Sequence, residues 1–449
     1  MQNKIVKISL IAALAGFLFG FDTVVISGAN LPIKALWNTS PLFHGMFIMS
    51  MALWGTVAGS LLGGIPCDRL GRKKTLFWIG ILYFLSAIGS GLATDPYTFS
   101  FFRFVGGVGV GASSVAAPIY ISEISTSENR GRLVAFYQFN IVFGIFIAFI
   151  SNYLLKGFDG ANDWRWMLAI EAIPASIYTL LVLGIPRSPR WLVIKKQDDK
   201  AALESLTRVA SQGKAKEILS EIKATLGNAI TKEKLFSSKF KIPLILAFLL
   251  AFFNQLSGIN FVLYYAPEIL EKAGLAAKES LFSSISIGVV NLVFTLIGIR
   301  LIDQLGRKKL MKIGSLGYII SLAMVGWCFY YQADATLLLS FVLLFIASHA
   351  IGQGAVIWVF ISEIFPNTVR AYGQAWGTGV HWVFAAIITL ITPIFLDSTD
   401  GIFKDNPWPI FIFFSCMMVL QLLFVLFMMP ETKGISLEDL EKKLLKSKK

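Results

Sequence analysis

Stretches of about 20 apolar residues, each long enough to cross a bilayer, recur along this chain and leave it few ways to fold. Twelve can be drawn, at residues 8–30, 43–66, 75–93, 98–121, 133–155, 166–186, 242–268, 281–302, 310–331, 336–362, 372–396 and 408–429. Inside hydrocarbon, every backbone N–H and C=O must be satisfied within its own segment, so each stretch reads as an α-helix. Composition agrees. Of 449 residues, 55% are hydrophobic and 15% charged, against about 25% charged in soluble domains. The first stretch is long and opens at residue 8, so it reads as a retained span and not as a signal peptide. The expected fold is an all-α membrane protein with twelve transmembrane helices.

The net charge of +13 raises the question of nucleic acid, but the basic residues lie in short loops between the spans. With the N-terminus inside, 33 of the 40 Lys and Arg residues fall on the cytoplasmic side. Six fall outside, namely Lys34, Lys156, Arg165, Lys272, Lys278 and Lys404, and Arg103 lies within span four. This bias predicts a multi-pass protein with both termini cytoplasmic. The compact tails suggest a bacterial inner membrane. The same bias explains the 13 basic residues of the polar stretch 187–241, so no nucleic-acid partner is expected. Apolar spacing at Leu203, Leu206 and Val209, then at Ile218, Leu219 and Ile222, predicts short amphipathic helices there, lying against the membrane face.

The motifs argue against an enzyme. No Walker A and no H-E-x-x-H occur, and His44, His349 and His381 are scattered. Cys67, Cys328 and Cys416 are too far apart for a metal motif, and no metal, cofactor or disulfide framework is expected. The glycine-rich run GGVGVG at 106–111 lies in an apolar segment and follows no strand, so it reads as close helix packing and not as a dinucleotide site.

Within 8–29, Asp22 is the only charge. A carboxylate at membrane depth costs roughly 2.5–3.5 kcal/mol on insertion scales, which makes it a functional candidate. An internal repeat organises the rest. Asp68 to Lys74 (DRLGRKK) returns as Asp303 to Lys309 (DQLGRKK), 235 residues later. Ile121 to Ile124 (ISEI), followed by Arg130, returns as Ile361 to Ile364, followed by Arg370, with an offset of 240. Two unrelated motifs at nearly one offset imply two pseudo-symmetric six-helix halves related by an axis along the membrane normal. The expected organisation is residues 1–186, a cytoplasmic linker 187–241, residues 242–430 and a basic cytoplasmic tail 431–449. The loop charges Asp68, Arg69, Arg72, Asp303 and Arg307, with Glu123, Arg130, Arg132, Glu363 and Arg370, either latch the cytoplasmic side or serve only as topology signals.

The chain resembles the sugar porter branch of the major facilitator superfamily over nearly its whole length. The resemblance rests on Gly20-Phe21-Asp22-Thr23 with Ser27-Gly28, both loop motifs, and Arg103 with Gly106-Gly107 and Gly109. It extends to Glu123 with Arg130-Gly131-Arg132, Pro186 to Leu192 (PRSPRWL), Gln255 to Asn260 (QLSGIN) with Tyr264-Tyr265, and Pro430 to Gly434 (PETKG). It implies a secondary active transporter that imports a monosaccharide, a hexose such as glucose or else xylose, by proton symport with alternating access. Passive facilitation, or symport of a polyol such as inositol, is the alternative. The partners are then the sugar, protons and the bilayer, with the chain acting as a monomer.

A sugar needs amides that donate and accept at once, and aromatic faces for its C–H surfaces. The candidates are Gln138, Asn254, Gln255, Asn260 and Asn291, with Trp358 and Trp382, at positions that line the sugar site in the resembled family. Each amide could instead make a plain interhelical hydrogen bond, worth about 0.6–2 kcal/mol. Gln255 and Asn260 are about 140° apart on an ideal helix, so a break at Gly258 is expected to bring them together. The resemblance makes Asp22 the proton carrier and Arg103 its partner.

Several positions depart from the family pattern. Arg187 stands in place of an acid, and Asn254 in place of the first Gln of a pair. Ile145 replaces a second span-five Gln. Ala355 replaces a proline before Trp358, which would leave span ten stiffer. His381 replaces an amide, and either touches sugar or is a satisfied polar residue in a helix interface.

Overall fold

The computed structural model describes residues 2–125, 129–225, 233–366, 368–435 and 437–445. Among them, eleven helices are long and apolar enough to cross a membrane, and a bent pair, Pro41–Met49 with Met51–Leu62, makes a twelfth. The spans match the twelve apolar stretches in order. The helices overrun those stretches, as in span one, Gln2–Trp37, and span four, Pro96–Ile124. Hydropathy marks the hydrocarbon, whereas a helix stops where its end groups find partners. At span four that partner is Asp95, which accepts from the N–H groups of Tyr97 and Thr98.

The described chain forms two compact units. Unit 1 holds Met1–Thr23, Trp54–Ala148 and Arg165–Thr231; unit 2 holds Val24–Leu53, Phe149–Trp164 and Lys232–Lys449. In unit 1, glycines let spans meet backbone to backbone. A Cβ on Gly55, Gly59 or Gly111 would collide with the facing backbone of spans two and four, so the glycine run in span four is a packing seam. Gly20 and Gly144 do the same for spans one and five, which sets the depth of Asp22 two residues on.

Unit 2 contains two interrupted spans. Span seven runs Lys241–Gln255 and then Ile259–Lys272, with Gly258 in the left-handed region at φ 83°. A Cβ there would lie 2.8 Å from Phe414, so both backbone and packing demand glycine. Span ten parts at Gly352 into Ala335–Ile351 and Gln353–Ile364. The stiffer span ten expected from Ala355 is therefore not found. The interruption falls three residues earlier, where buried Gln353 turns to Gln421, which donates to Ser315 at 2.8 Å.

The polar stretch folds as expected into helices, Asp199–Thr207 and Gln212–Thr225. Their apolar faces close on a small core of Trp191, Leu192, Val193, Ala202 and Ile222. Ile222 of the amphipathic spacing lies in that core, and Ile218 and Leu219 pack against it. Trp191 Nε1 donates to the Asp68 carbonyl at 2.9 Å, which docks the core on the first loop motif.

Candidate functional site

The acid of span one meets a cation. Asp22 and Arg103 are 1% and 2% exposed. Arg103 Nη1 donates to Asp22 Oδ1 at 2.5 Å, and Nη2 donates to the Asp22 carbonyl at 3.1 Å. A buried pair of this kind trades a large desolvation cost against Coulomb attraction, and removing one partner typically costs about 3–5 kcal/mol. Gly106, one turn beyond Arg103, keeps the approach open. A Cβ on it would collide with Ser86 and come within 3.6 Å of Asp22 Oδ1.

A third charge, absent from the sequence reading, completes this group. Glu171 of span six is 1% exposed and lies within electrostatic reach of Asp22 and Arg103. Its Oε1 has no hydrogen-bond partner among the described residues. The signal was available, because Glu171 is the sole charge within 166–186, as Asp22 is within 8–29. Two carboxyls and one guanidinium are thus buried together, and the arginine holds both the side chain and the backbone of span one.

In unit 2 the break at Gly258 does what the 140° mismatch requires. Asn260 Nδ2 donates to Gln255 Oε1 at 2.9 Å, and Gln255 Nε2 donates to Asn254 Oδ1 at 3.0 Å. Gln255 Nε2 also lies 3.1 and 3.2 Å from the ring nitrogens of His381. The His381 ring sits 4.9 Å from that of Trp358 and 4.7 Å from that of Trp382. Amides and aromatic faces thus meet in one cluster, and His381 occupies its centre. Asn291 stands apart. It is buried and accepts from Thr295 of its own helix at 3.5 Å, and no hydrogen bond joins it to the cluster among the described residues. Gln138 is half-buried on span five, in unit 1. Ile145, on the same span, is buried.

The loop charges form the same clasp twice. In unit 1, Arg72 Nη2 pairs with Glu123 at 2.9 Å and Nη1 with Asp68 at 3.3 Å, while Ser188 Oγ donates to Glu123 at 2.5 Å. In unit 2, Arg307 Nη2 pairs with Glu363 at 2.7 Å and Nη1 with Asp303 at 3.3 Å, while Thr432 Oγ1 donates to Glu363 at 2.6 Å. Each clasp lies within its own unit. Arg69 and Arg132 are exposed, Arg370 Nε donates to the Phe365 carbonyl at 3.2 Å, and the side chain of Arg130 lies outside the described residues.

The two clasps differ at one place. Glu431 accepts from the backbone N–H groups of Arg307, Lys308, Thr432 and Lys433, which caps the helix Arg307–Tyr330. Burial alone would raise this carboxyl, but those N–H groups outweigh it and hold it below the usual glutamate range. The equivalent position in PRSPRWL, one residue before the hydroxyl, is Arg187. Arg187 and Ser188 line a small cavity with Gly71, Arg72 and Lys73 at the start of the helix Arg72–Leu92, and no acid is among its described lining residues.

Twelve spans, a buried acid–guanidinium group and an interrupted helix carrying amides define a secondary transporter of the major facilitator architecture. A family model described as "Sugar (and other) transporter" matches residues 8–444. The chain is 36% identical to the arabinose-proton symporter of Bacillus subtilis, over 98% of this chain and 95% of that one. It is 34% identical to the D-xylose-proton symporter of Escherichia coli K12, over 98% and 96%. An inward open conformation of the xylose transporter XylE from E. coli matches with a TM-score of 0.86 at 33% identity, over 98% of this chain and all of that one. The chain belongs to the sugar porter family of the major facilitator superfamily, a family of transporters and not of enzymes.

Proposed function

We propose that this protein imports a monosaccharide together with a proton by alternating access, and that Asp22 carries the proton. The observation that supports this most is the Asp22–Arg103 pair, with Glu171 in electrostatic reach of it and all three sealed from solvent. In the proposed cycle a proton from outside binds Asp22 and releases Arg103. Sugar then binds and the protein rearranges; sugar and proton leave inside and the pair re-forms. Protonation drives the cycle only because it changes the balance of the two states, since equal affinity in both would shift nothing.

Sugar recognition is assigned to Asn254, Gln255, Asn260, Trp358, His381 and Trp382, with Gln138 and Asn291 kept on the family resemblance. The Lys and Arg bias orients the chain with both termini cytoplasmic, and the clasps at Arg72 and Arg307 act as gating charges on that side. A single chain carries all these groups, so a monomer suffices. The relatives named for arabinose and xylose place pentoses beside glucose as substrates to test.

The test is uptake of labelled arabinose, xylose and glucose into proteoliposomes, with and without an imposed inward proton gradient. Wild type should accumulate one of these sugars only with the gradient. Asp22→Asn should lose accumulation and keep counterflow exchange. Equilibration indifferent to gradient and mutation would make the protein a facilitator.

A further inference from the structure

A second buried polar cluster lies in unit 2, away from Asp22. Asn30, on the later half of span one, is 3% exposed. Its Nδ2 donates to Glu268 Oε2 of span seven at 2.7 Å, and its Oδ1 faces His44 Nε2 of span two at 2.7 Å. The other His44 nitrogen lies 2.9 Å from Thr39 Oγ1. An amide oxygen only accepts, so His44 Nε2 carries a proton here. The amide is thus held in one orientation, its NH2 on the acid and its oxygen on the imidazole.

Glu268 is 7% exposed and makes no ion pair among the described residues. The charges around it are engaged elsewhere. On its own helix, Lys272 donates to the Lys404 carbonyl at 2.9 Å, and Glu271 accepts from Ser280 at 3.3 Å. Asp397, beyond span eleven, pairs with Lys34 of span one, which also donates to the Thr39 carbonyl at 3.1 Å. Asn30 is therefore the one side chain among those described that donates a hydrogen bond to Glu268. The helix carrying Glu268 has a joint three residues earlier, at Tyr265, with φ −113° and ψ 16°, two residues before Pro267.

We infer that Glu268 is a second proton-binding site of the transport cycle, which clasps span one to span seven through Asn30 while ionised and releases it on protonation. The physical reason is that a hydrogen bond to a charged acceptor is roughly twice as strong as a neutral one. A proton taken up from outside adds to the carboxylate and weakens the clasp, and the joint at Tyr265 lets the outer part of span seven move. His44, already donating through Nε2, keeps Asn30 aligned in either state. The inference rests on the orientation and alternating access proposed above.

The test uses spin labels on Leu36→Cys and Ile402→Cys, exposed positions of span one and of the segment after span eleven, with Cys67, Cys328 and Cys416 replaced by Ser. The full chain in lipid nanodiscs, carrying Asp22→Asn to silence that site, is measured by pulsed electron resonance at about pH 8 and about pH 4, above and below the ordinary glutamate value. The long-distance population should rise about threefold or more on acidification. Adding Glu268→Gln should give one distribution at both pH values, matching the acid one. Asn30→Ala should give the long distance at both. A distribution indifferent to pH before Glu268 is changed, or a pH response that survives Glu268→Gln, overturns the inference. No sugar enters this measurement, so a failed uptake assay and a failed clasp remain distinct results.

Discussion

Asp22 and Glu171 are two buried carboxyls acting on one another beside a single guanidinium, an arrangement in which like-charge repulsion disfavours ionising both together. We propose that Glu171 is a proton partner of Asp22 and not a packing residue of span six. Replacing it by glutamine supplies a permanent donor to Asp22 and removes the exchangeable proton. Proton-driven accumulation by Glu171→Gln should fall about tenfold or more, roughly the 1.4 kcal/mol of one hydrogen bond to a charge, while counterflow exchange continues. The pH profile of exchange should also flatten, which a merely structural defect would not do. Unchanged accumulation with an unchanged profile would make Glu171 a bystander. Both acids were legible by the same rule, an isolated charge in an apolar span. Only Asp22 carried a family motif to draw attention to it. Their contact was not legible, because 149 residues separate them and no periodicity joins spans one and six.

At the scale of elements, the break in span seven could be read before any coordinates, since Gln255 and Asn260 cannot share a narrow face of a continuous helix. Gly258 makes the break at φ 83° against Phe414. Gly258→Ala forces an L-residue into the left-handed region at roughly 1–2 kcal/mol and displaces the Gln255–Asn260 bridge. It should lower thermal stability and raise the KM for sugar about tenfold, the effect of one lost hydrogen bond of about 1.4 kcal/mol. An unaltered KM would detach the break from binding. The helix starts after the two loop motifs make a matched pair of experiments. Glu431 caps one and Arg187 stands at the other, so Glu431→Gln should destabilise and Arg187→Glu stabilise, each by about 0.3–1 kcal/mol. The pH dependence follows from the sign of the shift. A carboxyl held below its ordinary value contributes stability that is present above about pH 4.3 and is lost as pH falls through the lowered value. The difference between wild type and Glu431→Gln in thermal unfolding should therefore close in acid.

For the whole molecule, the repeat was the strongest signal, and the two clasps repeat its chemistry to within 0.2 Å at the arginine–glutamate pairs, 2.9 and 2.7 Å. Contacts such as Asn30 to Glu268, 238 residues apart and outside both motifs, had no signature in the sequence. Orientation in the membrane is a separate matter, because helix packing is indifferent to which side is inside. Electrostatics favours one orientation, with 33 basic residues on one side against six on the other. Leu36 lies on the basic-poor side and Phe236 in the linker on the basic-rich side, and they are 54% and 73% exposed. In a chain with its own three cysteines replaced by serine, a membrane-impermeant thiol reagent should label Leu36→Cys in intact cells. Phe236→Cys should react only after permeabilisation. The reverse pattern would invert the topology. It would put the Glu268 clasp on the cytoplasmic side and assign the arginine clasps to the outer gate. Labelling of both sites in intact cells would mean mixed insertion, which a bias of this size does not allow.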